Sequence, residues 1–330
     1  MTVDEIKNEV ANCGRQLLKL GLVARTWGNI SIRVDENTMA ISPSGLSYDN
    51  MTGEDVPLLN IENGSFEGKR KPSSEMKIHI AAMKVFADVN FCIHTHQIFA
   101  TAVGLEKYHS LKMSDEDARI LGKIEIAEYA SPGTDELADN VEKALKDGAK
   151  VVLMRSHGVL ICAKDKEEAI NMAVSLEKVC KQNVEEFIGD TKETDLSKDK
   201  LAKSLRGDLS EFKNLLTFSN PQLLKLSKTS GFNAQLDDMA QMLGRRLESC
   251  PLDTKAIKVM LDKTDATMVE DFGCILKAKE ADDATALKML IEKAAICKAY
   301  TDAKAISLEL DKDDCEAMRK FYLESYSKRK

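Results

Sequence analysis

The stretch Asn90-Phe91-Cys92-Ile93-His94-Thr95-His96-Gln97 decides how the rest of the sequence is interpreted. Its apolar residues predict a short buried strand, and in an extended chain residues two apart point to the same face. The imidazoles of His94 and His96 are therefore predicted to converge on one point. Two surface histidines also fall at this spacing by chance, so the pair alone does not define a site.

A third histidine ends a second apolar run. The run Lys150-Val151-Val152-Leu153-Met154-Arg155-Ser156-His157-Gly158 places His157 just before a turn-forming glycine, and the chain has only five histidines. Three neutral imidazoles with an open fourth position are the ligand set of a catalytic zinc or a related divalent ion, whereas a structural zinc is closed by four protein ligands. The sequence thus predicts a metal site, with buried structural histidines as the alternative.

Length and composition are those of an ordinary globular protein. The chain has 330 residues, 43% hydrophobic and 31% charged, which allows one large domain or two. Its net charge of -7 argues against a general affinity for nucleic acid. We predict a cytoplasmic protein without a membrane partner, because no apolar run is long enough to span a bilayer and the N-terminus lacks signal-peptide character. The eight cysteines are scattered, so we expect buried, reduced side chains.

Periodicity predicts the elements around the histidines. Helices are expected over residues 4–21, 134–146 and 165–188, where apolar residues recur at helical spacing. Alternating residues predict a hairpin of two strands, over 30–34 and 38–41. A strand-rich segment framed by helices indicates an α/β domain with the sheet at its centre.

Small residues cluster at both ends of the hairpin. Gly28-Asn29 precedes its first strand, and Ser42-Pro43-Ser44-Gly45 follows its second. Loops of this kind expose backbone N–H groups and hydroxyls, which suit an anion such as phosphate. Each of them, taken singly, is also a normal turn.

The segment Pro72-Ser73-Ser74-Glu75 begins a predicted helix. Ser73 or Ser74 is the expected N-cap, and a helix N-terminus with paired hydroxyls binds phosphate well. The Glu75 carboxylate, if it lies beside a metal, could ligate it or act as a base, while a plain capped helix is the alternative. His79 lies one turn further along on an apolar face and is predicted to be a packed core histidine.

The order of these motifs resembles the class II aldolase/adducin family, whose members include fuculose-phosphate aldolase and ribulose-phosphate 4-epimerase. The resemblance covers about residues 5–190 and implies a central, mainly antiparallel sheet flanked by helices in three layers. It rests on five motifs in the family's order: Gly28-Asn29-x-Ser31-x-Arg33, Ile41-Ser42-Pro43-Ser44-Gly45, Pro72-Ser73-Ser74-Glu75, His94-x-His96 and Ser156-His157-Gly158.

The resemblance implies a role for each matching residue. His94, His96 and His157 would bind Zn2+, or another divalent ion such as Mn2+ or Co2+. Glu75 would be the catalytic acid/base that moves a proton on the metal-bound substrate. Glutamate here is typical of the aldolases, since the epimerase branch tends to carry aspartate. The residues implied to hold the substrate phosphate are Gly28, Asn29, Ser44, Gly45, Ser73 and Ser74.

The implied activity is that of a metal-dependent aldolase, a lyase of carbohydrate metabolism. It would cleave a small phosphorylated ketose, such as a fuculose-phosphate-like sugar, through a metal-stabilised enediolate. The resemblance also implies a homo-oligomer, with a tetramer favoured and active sites between subunits. A sugar-phosphate 4-epimerase, a dehydratase or a decarboxylase on the same scaffold stays open, as does a non-catalytic adducin-like interaction module.

The chain departs from the family at one point. In the sugar-phosphate aldolases the stretch after the His-x-His helix supplies a tyrosine that protonates the leaving aldehyde or its equivalent. Residues 113–120 of this chain contain no tyrosine. Tyr108 and Tyr129 are candidates to replace it, but neither aligns with it, which leaves the aldol substrate open.

The last third of the chain lies outside the resemblance. We therefore assign residues 1–195 to the metal-binding domain and 196–330 to a smaller C-terminal domain, either α/β or mainly helical. A shift of 115 residues reveals a partial, degenerate repeat, with chance similarity as the alternative. Phe272 replaces His157 and no histidine follows it, so this half-copy lacks the metal ligands. The shift aligns 143–147 with 258–262, 157–164 with 272–279, and 176–178 with 291–293.

Overall fold

The chain divides into two compact units, Met1–Asn183 and Val184–Lys330, and the division falls within one long helix. The predicted boundary at residue 195 lies further along the chain. The computed structural model describes residues 1–24, 26–107, 111–196 and 198–326.

The first unit is built on eight strands and six helices within its described residues. The strands are β1 (Asn29–Arg33), β2 (Thr38–Ile41), β3 (Leu58–Asn60), β4 (Phe66–Glu67), β5 (Phe91–Thr95), β6 (Ile124–Ala127), β7 (Val151–Met154) and β8 (Gly158–Ala163). The helices are α1 (Val3–Lys19), α2 (Met76–Val85), α3 (Ile98–Val103), α4 (Asp115–Leu121), α5 (Asp135–Lys146) and α6 (Lys166–Ile188), the last of which runs on into the second unit.

These strands form one sheet in the order β4-β3-β2-β1-β5-β8-β7-β6. Every neighbouring pair is antiparallel except β6 and β7. The predicted mainly antiparallel sheet is therefore confirmed, and β5, which carries His94, lies in its middle between β1 and β8.

Helices cover both faces of the sheet. On one face α2 and α5 enclose a core with alternate strand residues, among them Cys92 of β5 and Leu160 of β8. On the other face α1 contacts β1 and β2, and α3 contacts β7 and β8. Because side chains alternate along a strand, His94 points to the same face as Cys92, toward α2.

The predicted N-cap of α2 is wrong. Glu75 occupies this position, and no side chain caps the helix there. The Ser73 hydroxyl instead accepts a hydrogen bond from the Glu75 N–H at 3.2 Å, and the Met76 N–H donates to the Ser73 carbonyl at 3.2 Å. Ser73 thus closes a turn before the helix, and this turn sets Glu75 at the helix entrance.

The second unit contains a five-stranded sheet with helices around it. Of the two fold classes predicted for it, this confirms α/β rather than mainly helical. Its strand order is β10-β11-β12-β13-β9, and only β11 and β12 are parallel. The strands are β9 (Leu216–Phe218), β10 (Gly231–Asn233), β11 (Arg246–Cys250), β12 (Ala266–Val269) and β13 (Gly273–Leu276). The helices are α7 (Lys200–Asp208), α8 (Pro221–Leu226), α9 (Asp237–Met242), α10 (Thr254–Lys263), α11 (Ala281–Ala303) and α12 (Lys312–Phe321).

All eight cysteines are buried as free thiols, as the sequence predicts. Across the described ranges, no helix is both long and apolar enough to cross a membrane.

A buried carboxylate joins α4 to α6 in the first unit. Asp117 accepts hydrogen bonds from Lys178 and Ser175 at 2.7 Å each through one oxygen, and from Ser114 at 2.7 Å through the other. These donors, Lys178 first, lower the pKa of the Asp117 carboxyl to about 2. A pKa below that of the unfolded chain means that the ionised form stabilises the fold.

We expect Asp117→Asn to lower the free energy of unfolding at pH 7 by about 1.5–3 kcal/mol, because it removes charged hydrogen bonds. The difference from the wild type should stay constant down to about pH 4 and shrink as the pH falls toward 2. Denaturant unfolding at several pH values measures it. The exposed Asp115→Asn is the control in the same helix, and an equal effect of both variants at all pH values would contradict the assignment.

Candidate metal centre

Three histidines predicted from the sequence meet at one end of the central strands. His94 lies on β5, His96 just beyond its end, and His157 in the turn between β7 and β8. Because β5 pairs with β8, this turn comes next to the end of β5. The ring centroids are 4.7 to 5.1 Å apart, and one nitrogen from each ring lies within 4.8 Å of the others.

His94 is oriented for binding a metal. Its Nδ1 donates to the Val159 carbonyl at 2.9 Å, which fixes the tautomer with a lone pair on Nε2. Nε2 is buried and makes no hydrogen bond to any residue that the structure describes. Burial also lowers the pKa of His94 well below its usual value, so this ring is neutral, as a ligand must be.

Glu75 lies against the histidines. One carboxylate oxygen is 2.7 Å from His157 Nε2, and the other is 3.3 Å from His94 Nε2. The second oxygen also accepts a hydrogen bond from the Asn29 amide at 2.7 Å. Burial raises the pKa of the Glu75 carboxyl, but its neighbours, His157 first, more than reverse this, so its pKa is held well below the usual range.

This set of donors fits a divalent ion. Three imidazoles and one carboxylate converge, and the buried Nε2 of His94 has a lone pair directed at the group. Nitrogen ligands of this kind suit zinc, and the oxygen donor also admits manganese or cobalt. Without an ion, the buried Nε2 of His94 would have no hydrogen-bond partner among the described residues, which is costly.

The turn before β8 is strained and tightly packed. Ser156 has a φ of 61°, which is unusual for a residue other than glycine, and the His157 N–H donates to the Met154 carbonyl at 3.1 Å. A methyl group at Gly158 would lie 2.5 Å from the Thr95 carbonyl and 2.9 Å from His94 Cε1. The absence of a side chain at this position therefore leaves room for the His94 ring.

The loops predicted to hold phosphate lie side by side. The Ser44 N–H donates to the Lys71 carbonyl and the Ser73 N–H to the Ser42 carbonyl, each at 3.0 Å. Gly45 has a φ of 74°, so this loop uses a glycine conformation. Phosphate binding by this pair of loops stays a prediction.

Other predicted phosphate residues lie around this pair of loops. Gly28 precedes β1, and its carbonyl accepts from Tyr48 at 3.0 Å. Ser74 is exposed, and a methyl group at Gly133 would lie 3.0 Å from its carbonyl, so the loop before α5 reaches this point. Asn29 differs, because its side-chain amide is directed at Glu75.

Sequence reasoning missed the environment of His79. This histidine is fully buried, as expected of a core residue, but its two ring nitrogens contact Asn29 and Ser31. The spacing of these residues could have indicated the contacts. Asn29 and Ser31 are two apart on a strand, and Glu75 and His79 are four apart at the start of a helix, so each pair lies on one face of its element.

Neither of the two candidate tyrosines can be assigned the role of the missing acid. Tyr129 is half-buried in the loop between β6 and α5, and Tyr108 lies outside the described residues. The role of the family tyrosine stays unassigned in this chain.

Known proteins match the first unit. The family described as Class II Aldolase and Adducin N-terminal domain matches residues 8–184, which is more than half of the chain. The 5-deoxy-D-ribulose 1-phosphate aldolase of Bacillus thuringiensis is 32% identical over 178 residues, 54% of this chain and 83% of that protein. The L-fuculose phosphate aldolase of Escherichia coli is 31% identical over 178 residues, 54% of this chain and 81% of that protein.

A solved structure shares the fold. It is a putative aldolase/epimerase/decarboxylase from Klebsiella pneumoniae, with a TM-score of 0.52 and 20% identity, covering 55% of this chain and 89% of that one. The chain therefore belongs to the class II aldolase and adducin family, and the curated relatives named here are aldolases.

We expect Gly158→Ala to weaken zinc binding by about tenfold or more, because the added methyl group must displace the Thr95 carbonyl or the His94 ring. Competition with a coloured chelator measures the dissociation constant. Gly207→Ala is the control, since a methyl group there meets nothing within 4 Å. Equal zinc affinity in both variants and the wild type would show that this close approach does not shape the site.

Proposed function

We propose that this class II aldolase-type lyase cleaves a short ketose 1-phosphate, with a 5-deoxypentulose phosphate as the first candidate. The observation that carries the proposal is the Glu75 carboxylate lying against three converging imidazoles inside a domain that matches the family. The names of the matching relatives, which include 5-deoxy-D-ribulose 1-phosphate and L-fuculose phosphate aldolases, support this substrate class.

His94, His96 and His157 would hold the metal, with zinc as the first candidate. A bound divalent ion supplies the Lewis acidity that polarises the ketose carbonyl. Glu75 is the one carboxylate beside the three imidazoles within the described residues that also has a fixed orientation, through Asn29. This position suits general acid/base work on the carbon next to the carbonyl.

The proposed cleavage breaks the bond between the third and fourth carbons of the sugar. The hydroxyl of the fourth carbon loses its proton as that carbon becomes an aldehyde, and the electron pair of the bond stays on the third carbon. The ionised Glu75 carboxylate takes up that proton, directly or through water, and delivers it to the third carbon, which completes dihydroxyacetone phosphate. One proton leaves and one is added, so the reaction needs no other reactant.

We assign the phosphate to the paired loops around Ser44-Gly45 and Ser73-Ser74, with Gly28 beside them. The N-terminus of α2 adds a positive partial charge there, and the loops hold hydroxyls that can donate to phosphate oxygens. Binding at a fixed distance from Glu75 would orient the reacting carbons.

A second function on the same scaffold follows from the missing tyrosine. Without that acid between residues 113 and 120, epimerisation, dehydration or decarboxylation of a related sugar phosphate is the alternative chemistry. The homo-oligomer and the cytoplasmic location stay predictions of the family resemblance and of the sequence.

The zinc-loaded protein is expected to release dihydroxyacetone phosphate from 5-deoxyribulose 1-phosphate or fuculose 1-phosphate, measured by coupled reduction with NADH. Chelation should abolish the activity and added zinc restore it. Glu75→Gln should lower kcat by about 10²–10⁴-fold with zinc still bound, because the proton-transfer group is lost.

The exposed Glu67→Gln is the matched control and should keep full activity. Release of no dihydroxyacetone phosphate from either sugar by the metal-loaded protein would overturn the aldolase proposal. An epimerised or dehydrated product would then identify the alternative chemistry, and failure of the protein to bind any divalent metal would favour the interaction module.

A further inference from the structure

Behind Glu75 lies a chain of hydrogen bonds that ends in the protein core. Glu75 accepts from the Asn29 amide at 2.7 Å, and the Asn29 carbonyl contacts His79 Nε2. His79 Nδ1 contacts the Ser31 hydroxyl at 2.7 Å. Asn29, Ser31 and His79 are all buried.

The hydrogen bonds in this series all run in the same direction. Because the Asn29 nitrogen donates to Glu75, its oxygen faces His79 and must accept. His79 therefore carries its hydrogen on Nε2, and its Nδ1 accepts from the Ser31 hydroxyl. Each group thus donates toward Glu75, an arrangement in which neighbouring hydrogen bonds strengthen one another.

Two rigid elements hold this chain. Asn29 and Ser31 lie on the same face of β1, and Asn29 is the antiparallel partner of His94 on β5. Glu75 and His79 lie on the same side of α2, one turn apart. The strand that aligns Asn29 therefore also aligns a predicted metal ligand.

We propose that Ser31, His79 and Asn29 are positioning residues that fix the Glu75 carboxylate at the metal centre. Asn29 holds one oxygen of the carboxylate, so the other oxygen faces His157 and the reacting site. His79 acts on the carboxylate through Asn29. This inference rests on the proposed function for its kinetic consequence.

Two substitutions of His79 test the role of its donor. His79→Leu removes the donor to Asn29 at similar volume, and should lower kcat about 10- to 100-fold with KM unchanged and zinc still bound. His79→Gln keeps an N–H near the Nε2 position and should recover most of kcat. In a Glu75→Gln background, His79→Leu should cost nothing further, because it acts only through that carboxylate.

Ser31→Ala is the second variant in case His79→Leu does not fold, and should lower kcat less, again with KM unchanged. Ser227→Ala, a buried serine that bonds a local carbonyl in the second unit, is its control. Wild-type kcat in His79→Leu, or an equal loss in His79→Leu and His79→Gln, would overturn the proposal.

The visible spectrum of the Co2+-loaded protein gives a readout that needs no activity, since it depends on the ligands and their arrangement. His79→Leu and Glu75→Gln should change it in the same way, and His79→Gln should leave it unchanged. If the wild type cleaves no ketose phosphate, the proposed function fails while this spectrum still decides the positioning role. An unchanged spectrum in His79→Leu alongside a changed one in Glu75→Gln would refute it.

A second inference comes from the second unit, whose helices and strands repeat the order and pairing of those in the first unit. With the shift of 115 residues, β7 falls on β12 and α6 on α11 with identical bounds. The parallel pair β6 and β7 corresponds to β11 and β12, and the antiparallel pair β5 and β8 to β9 and β13. The helix after each of β5 and β9 has six residues.

The turn that carries His157 is repeated in detail. Asp271 has a φ of 54° where Ser156 has 61°. A methyl group at Gly273 would lie 2.5 Å from the Phe218 carbonyl, the same distance as from Gly158 to the Thr95 carbonyl. The ion pair of Lys293 on α11 with Asp238 on α9 likewise corresponds to the ion pair of Lys178 on α6 with Asp117 on α4, although Lys293 is buried and Lys178 is exposed.

We infer that residues 216–303 of the second unit are a copy of residues 91–188 in which the metal ligands have been replaced. The pairing of β9 with β13 sets Thr217 opposite Ile275, as His94 is set opposite Leu160. Thr217, Ser219 and Phe272 therefore correspond to His94, His96 and His157. The second unit therefore keeps the strand pairing and the turn that surround the histidines in the first unit, but not the histidines themselves.

The wild type should bind one zinc per chain, measured by elemental mass spectrometry after dialysis. The variant Thr217→His/Ser219→His/Phe272→His should bind a second one. The pair Thr217→His/Ser219→His, which spares the core residue Phe272, should bind Ni2+ if the triple variant does not fold. A folded triple variant that still binds one zinc, or a wild type that binds two, would overturn the duplication.

Discussion

The pairing of β5 with its two neighbours determines most of the first unit. Through β1 it sets Asn29 opposite His94, and through β8 it sets the Val159 carbonyl where it can hold the His94 ring. A shift of one residue in either pair would turn these side chains to the other face of the sheet. The candidate metal centre therefore depends on strand register before it depends on any single histidine.

Helix α2 adds the second constraint. Its core face packs with α5 over the sheet, and this packing fixes where its first residue lies. That packing brings the backbone of Glu75 to the histidines, and the hydrogen bond from Asn29 then orients its carboxylate. The low pKa of its carboxyl follows, because its neighbours, His157 first, together favour the ionised form more strongly than burial disfavours it.

The sequence predicted the histidine cluster because period-two spacing and apolar runs are local signals. It did not predict that Asn29 would face Glu75, since an amide's partner depends on two elements 46 residues apart. Ser73 was assigned as a cap because hydroxyls before a helix usually are caps, but here a turn needs the same hydroxyl. The sequence shows the repeat only from the end of α10 onward, because the loop before this helix differs in length from the loop before α5 and breaks a single alignment shift.

The burial of all eight cysteines has a consequence for metal selectivity. Thiolates bind soft ions such as copper(I) and cadmium far better than imidazole does, and an exposed thiol would capture them first. Here Cys92 lies two residues before His94, yet it is packed under α2 and its sulfur is out of reach of solvent. With every thiol buried, a soft ion has no exposed sulfur to bind first, and the candidate metal centre offers imidazole nitrogen and carboxylate oxygen instead.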